Sequence, residues 1–157
     1  MFEVTRRVEF RETDAGGVAH FSSYFGYMEE AEHALWRHLG TSVVEQTDDA
    51  IRSWPRVAAK CRYRRPVRFE DLLTIQVAVT RIGTSSVTFT FRFLHDGALV
   101  AEGEMTTVYC DFQLGGHLTR RTIPEALRRR LEAHTATTSP SGPATDRCAP
   151  AADASHE

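Results

Sequence analysis

From residue 55 to residue 112 the chain is an almost unbroken β pattern, and the only long helical pattern lies ahead of it. Leu73, Ile75, Val77 and Val79 alternate with Thr74, Gln76 and Thr80, and Val87, Phe89, Phe91 and Phe93 alternate with Thr88, Thr90 and Arg92. A period of two with large apolar residues on one side marks half-buried strands. The spacing predicts strands over residues 55–64, 72–82, 85–94 and 98–112. Gly83-Thr84-Ser85 and His95-Asp96-Gly97 are turn signals short enough to make the strands they join antiparallel.

The helical pattern covers residues 22–39. Tyr24, Met28, Ala31, Leu35 and Leu39 recur at helical spacing, flanked by Tyr27 and Ala34. Ser22 or Ser23 is the expected N-cap and Gly40 the expected stop. Gly26 within the helix costs about 1 kcal/mol relative to alanine, which predicts close approach of the helix backbone to a sheet or a ligand. A strand is expected over residues 2–10, carrying Phe2, Val4, Val8 and Phe10. A polar connection is expected over residues 41–53, and a short helix over 124–133. One long helix must bury its stripe on a surface, and a curved antiparallel sheet wrapped around it meets that need. The expected class is α+β.

Residues 1–134 are assigned to this domain. Residues 135–157, rich in Ala, Thr, Ser and Pro, lack the large apolar side chains that would offset their ordering entropy. They are expected to be a disordered or weakly docked tail. The 157-residue chain carries a formal charge of -2, which argues against a broadly basic nucleic-acid surface. No apolar run reaches the roughly 20 residues needed to cross a bilayer, and the N-terminus lacks the apolar stretch of a secretory signal, so the expectation is a cytoplasmic protein without membrane insertion. Cys61, Cys110 and Cys148 form neither a disulfide framework nor a zinc spacing. Cys61 and Cys110 fall in strands and read as small buried residues.

The chemistry concentrates between the first strand and the helix, in Glu12-Thr13-Asp14-Ala15-Gly16-Gly17-Val18-Ala19-His20-Phe21-Ser22-Ser23-Tyr24. This run places Asp14 before a glycine turn that feeds a helix start, where backbone N–H groups are unpaired and the macrodipole is positive. A carboxylate beside such donors can activate water while the amides hold a developing oxyanion. That pairing points to hydrolysis of an activated acyl group. The alternative is that Asp14 merely caps its turn. Gly16 and Gly17 are either turn residues or a point of close backbone approach to substrate. Glu30 and His33 have a metal-ligand spacing, but only one copy of a motif that di-iron bundles need twice. Glu29 or Glu30 could face an acyl pocket, or lie on a solvated or intersubunit-paired helix face. Arg62, Arg64, Arg65 and Arg68, with Tyr63, are either a solvated strand end or a phosphate-binding rim. Arg128, Arg129 and Arg130 read as surface.

The segment from Arg7 to Val18, followed by Tyr24 and the helix, resembles hot-dog-fold thioesterases. It is most similar to the 4-hydroxybenzoyl-CoA thioesterase family and its Tol–Pal-associated acyl-CoA thioesterase relatives. Tyr63-Arg64-Arg65-Pro66-Val67-Arg68-Phe69-Glu70-Asp71 agrees with the same family. The resemblance covers roughly residues 2–133. It implies a hot-dog fold: a five-stranded antiparallel sheet around one central helix. It also implies homodimers or homotetramers with active sites between subunits, and no cofactor or metal. The family's catalytic carboxylate falls on Asp14, as general base or nucleophile, and its carbonyl-polarising amide falls on Phe21. Gly16, Gly17, His20, Tyr24, Arg64 and Arg65 are the expected substrate-binding residues. Two features depart from the family. A histidine that some relatives carry at the position of Phe21 is here one place earlier, at His20. The basic cluster between the third and fourth strands is reduced to Arg81 beside Gly83-Thr84-Ser85. The expected activity is acyl-CoA thioester hydrolysis to a free acid and thiol, with an acyl carrier protein thioester as the alternative substrate. A non-catalytic acyl-thioester-binding protein and a dehydratase or hydratase on the same scaffold are the rivals.

Overall fold

The computed structural model describes residues 1–47, 50–112 and 117–135. Its main sheet has five antiparallel strands in the order β1 (Phe2–Arg7), β5 (Leu72–Ile82), β6 (Ser86–His95), β7 (Ala98–Val108) and β4 (Arg56–Tyr63). The sheet wraps α1 (Ser23–His38). Register runs from Leu73 opposite His95 to Ile82 opposite Val87, and from Ser86 opposite Val108 to His95 opposite Ala98. Irregularities at Val79/Arg81, Phe93/Leu94 and Arg56/Ala58 interrupt the ladders, and such bulges bend and twist a sheet. Asp96 and Gly97 both have positive φ, 49° and 76°, the backbone a tight hairpin requires.

The alternating residues fall where the pattern places them. Leu73, Ile75, Val77, Val79, Val87, Phe89, Phe91 and Phe93 are all buried. The helix contributes Tyr24, Tyr27, Met28, Ala31, Leu35 and Trp36 to the same core. Each large side chain buried this way contributes about 1.5–3 kcal/mol relative to exposure. Gly103 on β7 makes room for the Met28 side chain of the helix: a Cβ there would collide with Met28 Sδ.

Several expectations need correcting. The first strand stops at Arg7, because Glu9 and Glu12 form a reciprocal capping box that turns the chain into one turn of 3-10 helix, Phe10–Glu12. Phe10 is thereby left 76% exposed. The 41–53 connection contains two short strands, β2 (Val44–Gln46) and β3 (Ile51–Ser53). With β8 (Cys110–Phe112) and β9 (Leu118–Arg120) they form a second sheet in the order β2-β3-β8-β9, so the long final strand is broken at Tyr109. Trp54 joins this sheet to the core, lying between Trp36 at 4.7 Å and Tyr109 at 4.8 Å between ring centroids.

Neither serine caps α1 through its side chain. Ser22 occupies the cap position without a side-chain bond to the helix N–H groups, and Ser23 Oγ donates to the Glu12 carbonyl at 3.0 Å. Gly40 does end the helix, with φ of 72° and two closing bonds, Gly40 N to Arg37 O and Thr41 N to Trp36 O. Among the described residues, no atom beyond its own helix backbone and chain neighbours lies within 4 Å of a Cβ built on Gly26, so the expected close approach to the sheet is absent there. The final helix α2 (Glu125–Glu132) matches the expected 124–133. Its arginines are not all free surface: Arg128 donates to Gly83 O at 2.6 Å and Arg130 to Leu39 O at 3.0 Å. Residues 136–157, including Cys148, on which the tail expectation falls, lie outside the described residues.

Candidate active site

Between the 3-10 turn and α1 the chain folds back on itself as a narrow ribbon. His20 N donates to Glu12 O at 2.7 Å, Thr13 bridges Ala19, and Asp14 N donates to Val18 O at 2.8 Å. Asp14 closes the tip of the ribbon, and Phe21 follows its last rung into the helix. Gly17 turns the tip with φ of 71°. The ribbon is tied to the scaffold by Ala19 N to Val67 O at 2.8 Å and by a bridge between Val18 and Arg68.

The loop fixes the Asp14 carboxylate. Oδ1 accepts from Gly16 N at 2.8 Å and Val18 N at 3.4 Å, while Oδ2 has no hydrogen-bond partner among the described residues. A Cβ on Gly16 would sit 3.1 Å from Oδ1, so glycine lets the carboxylate fold over its own turn. Asp14 is exposed on the single chain.

Beneath the ribbon lies a support that sequence reasoning missed. Glu12 accepts from Arg6 Nη2 at 2.5 Å, from Tyr27 OH at 2.7 Å and from Glu9 N at 2.7 Å. Its carbonyl takes both His20 N–H and Ser23 Oγ. Burial first, then the bond to Glu12, pushes the Tyr27 hydroxyl well above its ordinary pKa, so it remains a donor. Arg6 also meets Glu30 at 2.8 Å, although the Nε–H is too misaligned to count as a hydrogen bond. Glu29 in turn meets Arg56 at 3.1 Å. Glu29 and Glu30 are therefore both ion-paired to the chain's own arginines.

At the head of α1, the His20 carbonyl accepts from Ser23 N at 3.0 Å. Carbonyl and N–H of a trans peptide point opposite ways, so the Phe21 N–H is turned away from the helix. It has no hydrogen-bond partner among the described residues. Tyr63 OH donates to the Phe21 carbonyl at 2.9 Å, and the Phe21 ring is 60% exposed. Tyr24 is buried, edge-on to Tyr63 at 5.1 Å, Phe93 at 5.3 Å and Tyr27 at 5.8 Å. Burial, followed by Cys61 and Tyr63, pushes its hydroxyl up to about 12.

The other expected residues divide. His20 Nδ1 lies 2.7 Å from Ser22 Oγ and accepts from Ser22 N at 3.3 Å, so this nitrogen faces the helix start. No hydrogen bond joins His20 to Asp14. Arg64 is held by Glu102 at 2.6 and 2.8 Å. Arg65 is exposed and makes no ion pair among the described residues, and the same holds for Arg68. Arg68 Nη1 lies 3.8 Å from a Cβ built on Gly17, placing a free guanidinium beside the Asp14 loop. Tyr63 stands out in the sequence only as the aromatic residue among the strand-end arginines; its contact with Phe21 joins residues too far apart in the chain for local patterns to show.

The profile of the thioesterase-like superfamily matches residues 8–131. The chain belongs to that superfamily. It is 30% identical over 116 residues to the acyl-CoA thioester hydrolase YbgC of Escherichia coli, an alignment covering 71% of this chain and 83% of that protein. It is 33% identical over 140 residues to a 1,4-dihydroxy-2-naphthoyl-CoA hydrolase of Synechococcus sp. strain WH7803, covering 83% of this chain and 88% of the relative. The solved structure of BH1999 gentisyl-coenzyme A thioesterase superposes with a TM-score of 0.72 at 26% identity, covering 83% of this chain and 99% of that one. The hot-dog fold and the thioester-hydrolase family expected from the sequence are both met. No helix among the described residues is long and apolar enough to cross a membrane.

Proposed function

We propose that the protein hydrolyses an acyl thioester, releasing a carboxylic acid and a free thiol. The observation that carries this is the Phe21 N–H at the positive end of α1, on the same ribbon that presents the Asp14 carboxylate; among the described residues neither that N–H nor Asp14 Oδ2 has a hydrogen-bond partner. In this reading the thioester carbonyl lies against the Phe21 amide. Negative charge grows on that oxygen as the carbonyl carbon becomes tetrahedral, and a preorganised donor stabilises it; loss of one such donor typically costs about 10² to 10³ in rate. Asp14 acts on the other side of the carbon. As general base it takes a proton from water; as nucleophile it forms an anhydride that water then opens. The thiolate leaves and is protonated.

The site is completed by a second copy of the chain. Strand β4 is a free edge of the five-stranded sheet, with Val57 59% and Tyr63 43% exposed. Antiparallel pairing of two such edges would continue the sheet and cover the exposed head of α1, giving a homodimer with the acyl group held between subunits. Coenzyme A is the favoured carrier, since the relatives named above act on CoA thioesters. Arg62, Arg65 and Arg68 are exposed, make no ion pair among the described residues and are the candidates to meet its phosphates; Arg64 is committed to Glu102.

One observation favours a second reading. Asp14 Oδ1 caps its own turn through Gly16 N and Val18 N, which is what a purely structural aspartate would do. A protein that binds acyl thioesters without cleaving them would keep that feature. A panel of aromatic and aliphatic acyl-CoA and carrier-bound thioesters, followed by thiol release, separates the two. Turnover of at least one class is expected. Binding across the panel with no thiol released would favour the second reading.

A further inference from the structure

We propose that Tyr63, at the end of the edge strand β4, is a positioning residue that holds the Phe21 carbonyl away from the place where the Phe21 N–H meets the developing oxyanion. The proposal rests on the reading of Asp14 and Phe21 given above. Two peptide planes meet at the Phe21 α-carbon. The plane that carries its N–H is held on the far side, where the His20 carbonyl accepts from Ser23 N. The plane that carries its carbonyl is held by Tyr63 OH at 2.9 Å on one side and by Ser22 N–H to His20 Nδ1 at 3.3 Å on the other. Without the Tyr63 bond, that second plane would depend on the longer imidazole contact. Rotation there would turn a carbonyl oxygen toward the place where negative charge must grow.

Tyr63 is itself firmly placed. It is the last residue of β4, opposite Ala101, and the strand end is closed by Arg64 N and Arg65 N both donating to Val100 O, at 2.8 and 3.1 Å. Its ring packs edge-on against the buried Tyr24 at 5.1 Å, which aims the hydroxyl at the helix head. Partial desolvation of this half-exposed side chain, with Cys61 beside it, pushes the hydroxyl up to about 12, so it stays a donor at neutral pH. The bond also joins the strand edge offered for dimerisation to the residue proposed to polarise the substrate. Loss of this one neutral hydrogen bond is expected to lower the rate by about tenfold.

The test compares Tyr63→Phe, Asp14→Asn and the double variant of the full chain on the best acyl-CoA from the panel. Tyr63→Phe is expected to lower kcat about tenfold with KM within about twofold, because an orienting bond acts far more strongly where charge develops than on the weakly polarised ground-state carbonyl. The second readout needs no turnover. A thioester labelled with 13C at the carbonyl, bound to Asp14→Asn, is expected to show its C=O stretch shifted to lower frequency than in solution. Adding Tyr63→Phe should remove part of that shift. Unchanged kcat and an unchanged carbonyl stretch in Tyr63→Phe, with Asp14→Asn inactive, would overturn the proposal and leave the assignment of Asp14 standing. A raised KM at unchanged kcat would also overturn it, since Tyr63 would then be a substrate contact. Full turnover by Asp14→Asn would instead remove the reading on which the proposal rests.

Discussion

Replacing Arg56 with alanine would strand Glu32, a carboxylate with no solvent exposure on the buried side of α1. Glu32 accepts from Arg56 Nη2 at 2.6 Å and from the Trp36 indole N–H at 3.0 Å. Removing one partner of a fully buried pair typically costs about 3–5 kcal/mol. Here the Arg56 side chain is 29% exposed, so water already reaches part of the pair. The indole bond also remains. Both facts lower the expected cost to about 2–3 kcal/mol. Loss of the partly exposed Glu29 contact adds little. For a domain of this size, that is a fall in melting temperature of about 4–12 °C. Glu32→Gln combined with Arg56→Met removes both charges, keeps an amide oxygen for the Trp36 indole N–H and should recover most of the loss, because a buried ion pair gains little over uncharged side chains of similar volume. Urea unfolding at fixed protomer concentration measures all three proteins. If Arg56→Ala lies within about 0.5 kcal/mol of the parent, or if the double variant is no more stable than Arg56→Ala, the pair does not couple helix to strand in this way.

Two glycines on opposite sides of the helix packing should respond in opposite directions. Gly103→Ala forces Met28 out of its seat and should cost about 1–3 kcal/mol. Gly26→Ala meets open space and should stabilise the folded chain by up to about 1 kcal/mol, and thermal melts of both variants check the contrast. Burial, then the neighbouring charges of His38 and the N-terminal ammonium, hold the His134 imidazole below its ordinary pKa. The unfolded chain therefore binds that proton more readily than the folded one. The stability from neutral His134 is complete above an unfolded pKa of about 6.5 and is lost as pH falls below it. Melting temperature should fall between pH 7.5 and 5.5, less steeply in His134→Gln; an identical slope in that variant would contradict the assignment.

What the sequence made legible follows the physics of each element. Strands β5 and β6 could be read face by face, because eight large apolar residues alternate with polar ones and a one-residue slip would expose them all. Phe10 continues the same alternation but projects into solvent, because the Glu9–Glu12 capping box ends the strand first. Strands β2, β3 and β9 escaped notice because each spans three residues, and their order comes from pairing with β8 across the chain. Ser22 has the composition of a cap, yet its hydroxyl lies against His20 Nδ1 instead. At the candidate site, Asp14 and the glycines were legible because their turn is local. The supports were not: Glu12 reaches Tyr27, and Tyr63 reaches Phe21, through contacts that only the folded sheet creates.

In the proposed reaction one acidic side chain, Asp14, drives hydrolysis. Asp14→Asn keeps the size of the side chain and can keep the bonds from Gly16 N and Val18 N to its amide oxygen, so the melting temperature should stay within about 3 °C of the parent. Removing the base or nucleophile should cut thiol release from the preferred acyl-CoA by about a hundredfold or more. A folded Asp14→Asn protein that releases thiol at close to the parent rate would contradict the account.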